Sequence, residues 1–98
     1  MLIRIVKLTI NPDKIEEFKS LYSSHMELIR NKNGCQKLEL LQEKGRYSNV
    51  AMTYSYWEKE EDLENYRNSE LFLSVWKKVK PLFCAKPEAW SMERKFEI

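Results

Sequence analysis

The sequence is poor in the residues from which cofactor and metal sites are built. Its 98 residues include two glycines, one histidine and two cysteines. Gly34 and Gly45 stand alone, so there is no GxGxxG or GxxxxGK loop to cradle a dinucleotide or nucleotide phosphate. One imidazole, His25, and two widely separated thiols, Cys35 and Cys84, argue against a Cys- or His-rich metal site within one chain. The two thiols fit neither a disulfide framework nor a CxxC motif, and are expected to be reduced, inert and buried. No apolar run approaches the roughly 18 residues of a membrane-spanning helix. Residues 1–10 lack the basic and apolar regions of a signal peptide, so a cytoplasmic location is expected. An excess of one charge is also missing. With 17 Lys+Arg against 15 Asp+Glu the net charge is +2, too small to mark a nucleic-acid or membrane-surface protein.

What is present suffices for a core. Hydrophobic residues make up 43% of the chain and aromatics 12%, which disordered chains do not reach, and the length predicts one domain over residues 1–98. Leu2 to Ile10 reads as a strand with Leu2, Val6, Leu8 and Ile10 on one face. Asn11 as N-cap and Pro12 at the first helical position open a helix, whose stripe runs through Ile15, Phe18, Leu21, Tyr22, Met26 and Ile29 until Asn33-Gly34 stops it. Cys35 to Glu43 predicts a second strand, turning at Lys44-Gly45 into a third from Tyr47 to Trp57. On that third strand Val50, Met52, Tyr54 and Tyr56 oppose Ala51, Thr53, Ser55 and Trp57. Acidic residues after Glu58 open a short helix through Leu63 and Tyr66. After an Asn68-Ser69 break, a longer helix carries Leu71, Phe72, Val75, Trp76 and Val79. Ala89 to Ile98 alternates as a fourth strand.

The order β, α, β, β, α, β is that of an α+β, ferredoxin-like split βαβ fold, a four-stranded antiparallel sheet with helices on one face. Because both faces of the third strand are partly apolar, a second copy of the chain is expected over the open face.

This topology comes with the Gly34-Cys35 turn, the segment Tyr54-Ser55-Tyr56-Trp57-Glu58 and the later Leu63-Glu64-Asn65-Tyr66-Arg67-Asn68-Ser69-Glu70-Leu71-Phe72. Together they resemble the antibiotic-biosynthesis monooxygenase family along essentially the whole chain. The resemblance implies a dimeric α+β barrel and, for the quinol- and polyketide-oxidising members, oxidation of an electron-rich phenol by dioxygen without metal, flavin or haem. It therefore implies no cofactor. Two departures stand out. Tyr66 occupies a place where family members often carry a histidine, and Trp76 stands where the haem-degrading branch has its iron ligand. An indole has no lone pair free to ligate iron.

The candidate site residues each have a plainer reading. His25, the only side chain with an ordinary pKa near neutrality, is either the catalytic base or a partly exposed helix residue. Thr53 and Ser55, small like Ala51 beside them, either leave room for a substrate between sheet and helices or let the helices pack closely. The resemblance makes Trp57 a cavity wall or an indole donor to a substrate oxygen; otherwise it is a core or interface residue. Tyr66, Phe72 and Trp76 form an aromatic substrate pocket or an ordinary core. Arg4, Tyr54 and Tyr56 are able to polarise a ligand, but strand parity sends both tyrosines to the face opposite Trp57 and hence to a dimer interface. Lys77, Lys78, Lys80 and Lys86 read as a solvated face. The function expected is cofactor-independent oxidation of a small aromatic or quinol-like compound by a homodimer. The alternative is a non-catalytic dimeric binding or stress-related module on the same fold.

Overall fold

Strict alternation of β-branched, aromatic and small side chains makes Val50–Trp57 a strand, and its burial alternates residue by residue. In the computed structural model, which describes residues 1–46 and 48–98, this strand (β3) pairs with Leu2–Thr9 (β1) on one side and Cys35–Gln42 (β2) on the other. Glu88–Glu93 (β4) pairs with the free edge of β1, giving the order β2-β3-β1-β4 with every pairing antiparallel. Three helices cross the sheet connections: Ile15–Arg30 (α1), Glu60–Arg67 (α2) and Glu70–Val79 (α3). This is the α+β, ferredoxin-like arrangement that the element order predicts.

Several boundaries differ from the sequence expectation. Asn11 makes no side-chain cap; Pro12–Lys14 forms a 3-10 turn and the α-helix begins at Ile15. β1 stops at Thr9, and Ile10 makes an isolated bridge to Phe83 instead. β2 ends at Gln42, one residue before the expected Glu43. β3 starts at Val50, while Tyr47, the expected first residue, lies outside the described residues. The largest difference is at β4, expected to reach Ile98 and ending at Glu93. Its partner explains this: Glu93 pairs with Leu2, so the ladder of β1 runs out there, and only Arg94 N–H reaches one residue further, to the Met1 carbonyl. Cys84 is exposed, not buried as expected, whereas Cys35 is buried; both are free thiols.

The core lies between the sheet and the helices. Ile10, Phe18 and Ile29 are at most 1% exposed, each contributing about 1.5–3 kcal/mol of burial. A smaller cluster joins Cys35, Trp57 and Leu63, with Leu2 and Tyr66 against it. Gly34 makes the turn from α1 into β2 at φ +82°, and a Cβ there would overlap the Asp62 side chain. Its carbonyl accepts the Glu58 N–H at 2.8 Å, so this one glycine seats the start of α2 against the α1–β2 turn.

Candidate functional site

Between the inner sheet face and the helices, a cavity of about 370 Å³ remains unfilled. That volume is at the lower end of the range for small-molecule sites. Its floor is the inner row of β1 and β3, where Arg4, Val6 and Leu8 lie beside Thr53 and Ser55. Its roof is Leu63, Tyr66 and Arg67 from α2 and Phe72, Val75, Trp76 and Val79 from α3, and Tyr22 and Ile29 of α1 close one side. The short side chains of β3 create the space, since threonine and serine leave a gap that the helices do not descend to fill.

The roof is an aromatic train. Trp57 stacks on Tyr66 with centroids 5.2 Å apart, Tyr66 meets Phe72 edge-on at 5.3 Å, Phe72 stacks on Trp76 at 6.0 Å, and Trp76 meets Phe83 edge-on at 5.5 Å. The break between α2 and α3 sets its geometry. Ser69 Oγ accepts the Phe72 N–H at 3.2 Å as the N-cap of α3, and its hydroxyl donates to the Tyr66 carbonyl at 2.6 Å.

The polar groups facing the cavity are mostly donors. The phenols of Tyr22 and Tyr66 have pKa values pushed up, above all by burial. Both stay protonated through neutral pH, and the Tyr22 hydroxyl is hydrogen-bonded with Thr53. Arg4 Nη1 donates to Ser91 Oγ at 3.0 Å. Burial, with the neighbouring Arg67 adding to it and Glu64 opposing, lowers the Arg4 pKa from its usual value. Arg67 pairs with Glu64 at 3.1 Å.

Of the residues expected from sequence, the structure brings Thr53, Ser55, Tyr66, Phe72 and Trp76 together around this cavity. Trp57 is fully buried behind Tyr66, and its Nε1–H is engaged by Ser55 Oγ at 2.8 Å, so it backs the wall without lining it. His25 is not among the lining residues. Its Nδ1 lies 2.9 Å from the Leu21 carbonyl and 3.0 Å from Ser24 Oγ, both on its own helix. Tyr22 and Arg67 line the cavity without having been singled out. Tyr22 reads in sequence as one more stripe residue, and no spacing signal distinguishes Arg67 from other surface charges. Among the described residues, no group of three or more His, Cys, Asp or Glu side chains is placed to hold a metal ion, and no helix is long and apolar enough to cross a membrane.

The model of the antibiotic biosynthesis monooxygenase family matches residues 1–78. The chain belongs to that family. Solved structures agree with this family member in fold at low sequence identity. A Nitrosomonas europaea protein assigned as an antibiotic biosynthesis monooxygenase superposes with a TM-score of 0.90 at 17% identity, over 98% of this chain and 100% of that one. A conserved protein from Methanosarcina mazei Go1 gives 0.87 at 23%, over 97% and 94% of the two chains. A variant of SnoaB, a cofactor-independent oxygenase from Streptomyces nogalater, gives 0.86 at 14%, over 99% and 95%. A comparison with curated proteins finds no match in sequence.

Proposed function

We propose that this family member is a cofactor-independent monooxygenase that oxidises a small aromatic or quinol-like compound with dioxygen in the cavity between sheet and helices. The observation that carries the reading is the cavity itself: an aromatic roof over a floor that includes the hydroxyl residues Thr53 and Ser55. The SnoaB likeness adds a cofactor-independent oxygenase on the same fold. A hydroquinone entering here loses a phenolic proton, and the electron-rich anion reacts with dioxygen. One oxygen atom forms a bond to a ring carbon that loses its hydrogen, the O–O bond breaks, and the other oxygen leaves as water. The product is a hydroxyquinone, and all the electrons that dioxygen takes come from the substrate. Thr53, Ser55, Tyr66 and Tyr22 serve as hydrogen-bonding groups for the oxygen atoms on which charge develops. His25 accepts the phenolic proton by way of solvent. The working unit is a homodimer closed over the outer sheet face.

Oxygen uptake by the purified protein with a panel of hydroquinones tests the reading. Consumption above buffer is expected for some of the panel, and rates equal to buffer across it would overturn the proposal. His25→Ala is expected to slow turnover without unfolding the protein; an unchanged rate removes His25 from the mechanism. A second reading, a non-catalytic dimeric binding module, is favoured by one observation: among the described residues, no imidazole or carboxylate lines the cavity. Ligand binding without oxygen uptake would establish it.

A further inference from the structure

Arg4 is out of place in its strand. The inward row of β1 is Leu2, Arg4, Val6 and Leu8, and a fourth aliphatic residue would complete the stripe. Instead a partly exposed arginine stands in the middle of the sheet, flanked across the strands by Ser55 on β3 and Ser91 on β4. Drawing a cation even partly out of water has a cost that a charged partner offsets. Its hydrogen bond goes to a neutral hydroxyl, and among the described residues no carboxylate lies within ion-pairing distance of it. The second cation at this end of the cavity, Arg67, shares its counter-charge with Glu64. Two arginines therefore line the cavity with one carboxylate shared between them, and among the described residues no acid is part of its lining.

We propose that the compound this cavity accepts is an aromatic carboxylate, its carboxylate held between Arg4 and Arg67 and its ring against Tyr66, Phe72 and Trp76. The planar fork of arginine suits a carboxylate, which takes parallel N–H donors. Ser55 adds a further donor beside Arg4: its oxygen accepts the Trp57 N–H, which leaves its own hydroxyl proton for the ligand. A bound carboxylate cancels the surplus positive charge and relieves the repulsion between the two arginines. This inference rests on the cavity being a substrate site, and it specifies the charge and the orientation of what enters.

Calorimetric titration of the unmodified protein with naphthalene carboxylate and with its neutral isostere, naphthalene carboxamide, tests the proposal on the ligand side, where no variant has to fold. The carboxylate is expected to bind about 10- to 100-fold more tightly, the range for charge-assisted hydrogen bonds. Arg4→Gln and Arg67→Gln, with folding checked by circular dichroism, should each shrink that preference, and Arg4→Lys should keep part of it. Equal affinities for the two probes, no binding of the carboxylate, or a preference that survives both Gln variants would overturn the proposal. Oxygen uptake separates this failure from that of the oxidase reading. Equal turnover of a hydroquinone with and without a ring carboxylate refutes the carboxylate site and leaves the oxidation standing. Preferential carboxylate binding with no oxygen uptake from any hydroquinone supports the site and refutes the oxidation.

Discussion

On β3 the residues facing the helices are 0–9% exposed, namely Ala51, Thr53, Ser55 and Trp57, whereas Val50, Met52, Tyr54 and Tyr56 on the other face are only half-buried. One strand thus has two environments. Its inner face is packed by α1, α2 and α3 except at the cavity, so its side chains are held by this chain alone. The outer face is a row of apolar side chains with no helix over it. Ile5, Tyr54 and Trp90 align across three strands, as do Ile3, Tyr56 and Met92, and Trp90 and Met92 remain 40% and 50% exposed. Lys37 and Arg94 approach the Tyr56 ring at 5.6 and 5.7 Å and border the apolar patch with charge. The inner face therefore carries the packing that folds the monomer, and the proposed substrate site lies on it. The outer face has the character of a surface made for a partner, which the proposed homodimer supplies.

Two tryptophans probe this contrast directly. Trp57→Ala removes a fully buried indole that stacks on Tyr66 and bonds to Ser55, and is expected to cost about 3–5 kcal/mol in a urea unfolding curve. Such a loss would leave little of a typical small domain's stability. A smaller loss would mean that the cavity collapses to fill the gap, and that the inner face is less tightly determined than its burial indicates. Ser55→Ala comes next. It leaves the buried Trp57 N–H without its acceptor, at about 1–3 kcal/mol. Because Ser55 also faces the cavity, ligand affinity should fall with it.

Much of this was legible in the sequence, for a physical reason. Strand parity depends only on alternation, so the two faces of β3 and the gathering of Thr53, Ser55, Tyr66, Phe72 and Trp76 followed from spacing together with the family resemblance. Strand ends depend on the partner: β4 alternates to Ile98 but stops where β1 has no residue left to pair. Hydrogen-bond commitments are equally invisible in one dimension. Nothing in the spacing of Trp57 reveals that Ser55, two residues back on the same face, takes its N–H. His25 sits at the margin of the α1 stripe by periodicity, yet whether it turns inward depends on a rotamer, and here its Nδ1 turns back to the Leu21 carbonyl.

A pH titration sharpens the description of the inner face. The folded protein raises the pKa values of Tyr22 and Tyr66, so it holds two phenolic protons at pH values where an unfolded chain, with tyrosines near about 10, releases them. The stabilisation is fully present below that ordinary value and is lost as pH rises above it. Urea midpoints should therefore fall between about pH 9 and pH 11, and the double variant Tyr22→Phe/Tyr66→Phe should flatten the decline. A decline that the double variant leaves unchanged would place its origin elsewhere.

The smallest effect on folding is expected at the other tryptophan. Trp90 lies on an edge strand whose residues are all exposed, and it pairs with Ile5 across the outer face. Trp90→Ala should move monomer stability by no more than about 0.5 kcal/mol, as for surface substitutions generally. The same indole in a dimer would sit in a desolvated interface, where aromatic residues dominate binding. Association and folding should therefore separate at this position. Sedimentation of the unmodified protein is expected to show a dimer at micromolar concentration, and Trp90→Glu to show a folded monomer, because a charge on that face cannot be desolvated without a counter-ion. If Trp90→Glu stays dimeric, the outer face is not the interface. If Trp90→Ala unfolds the monomer as readily as Trp57→Ala does, the contrast between the two faces fails as well.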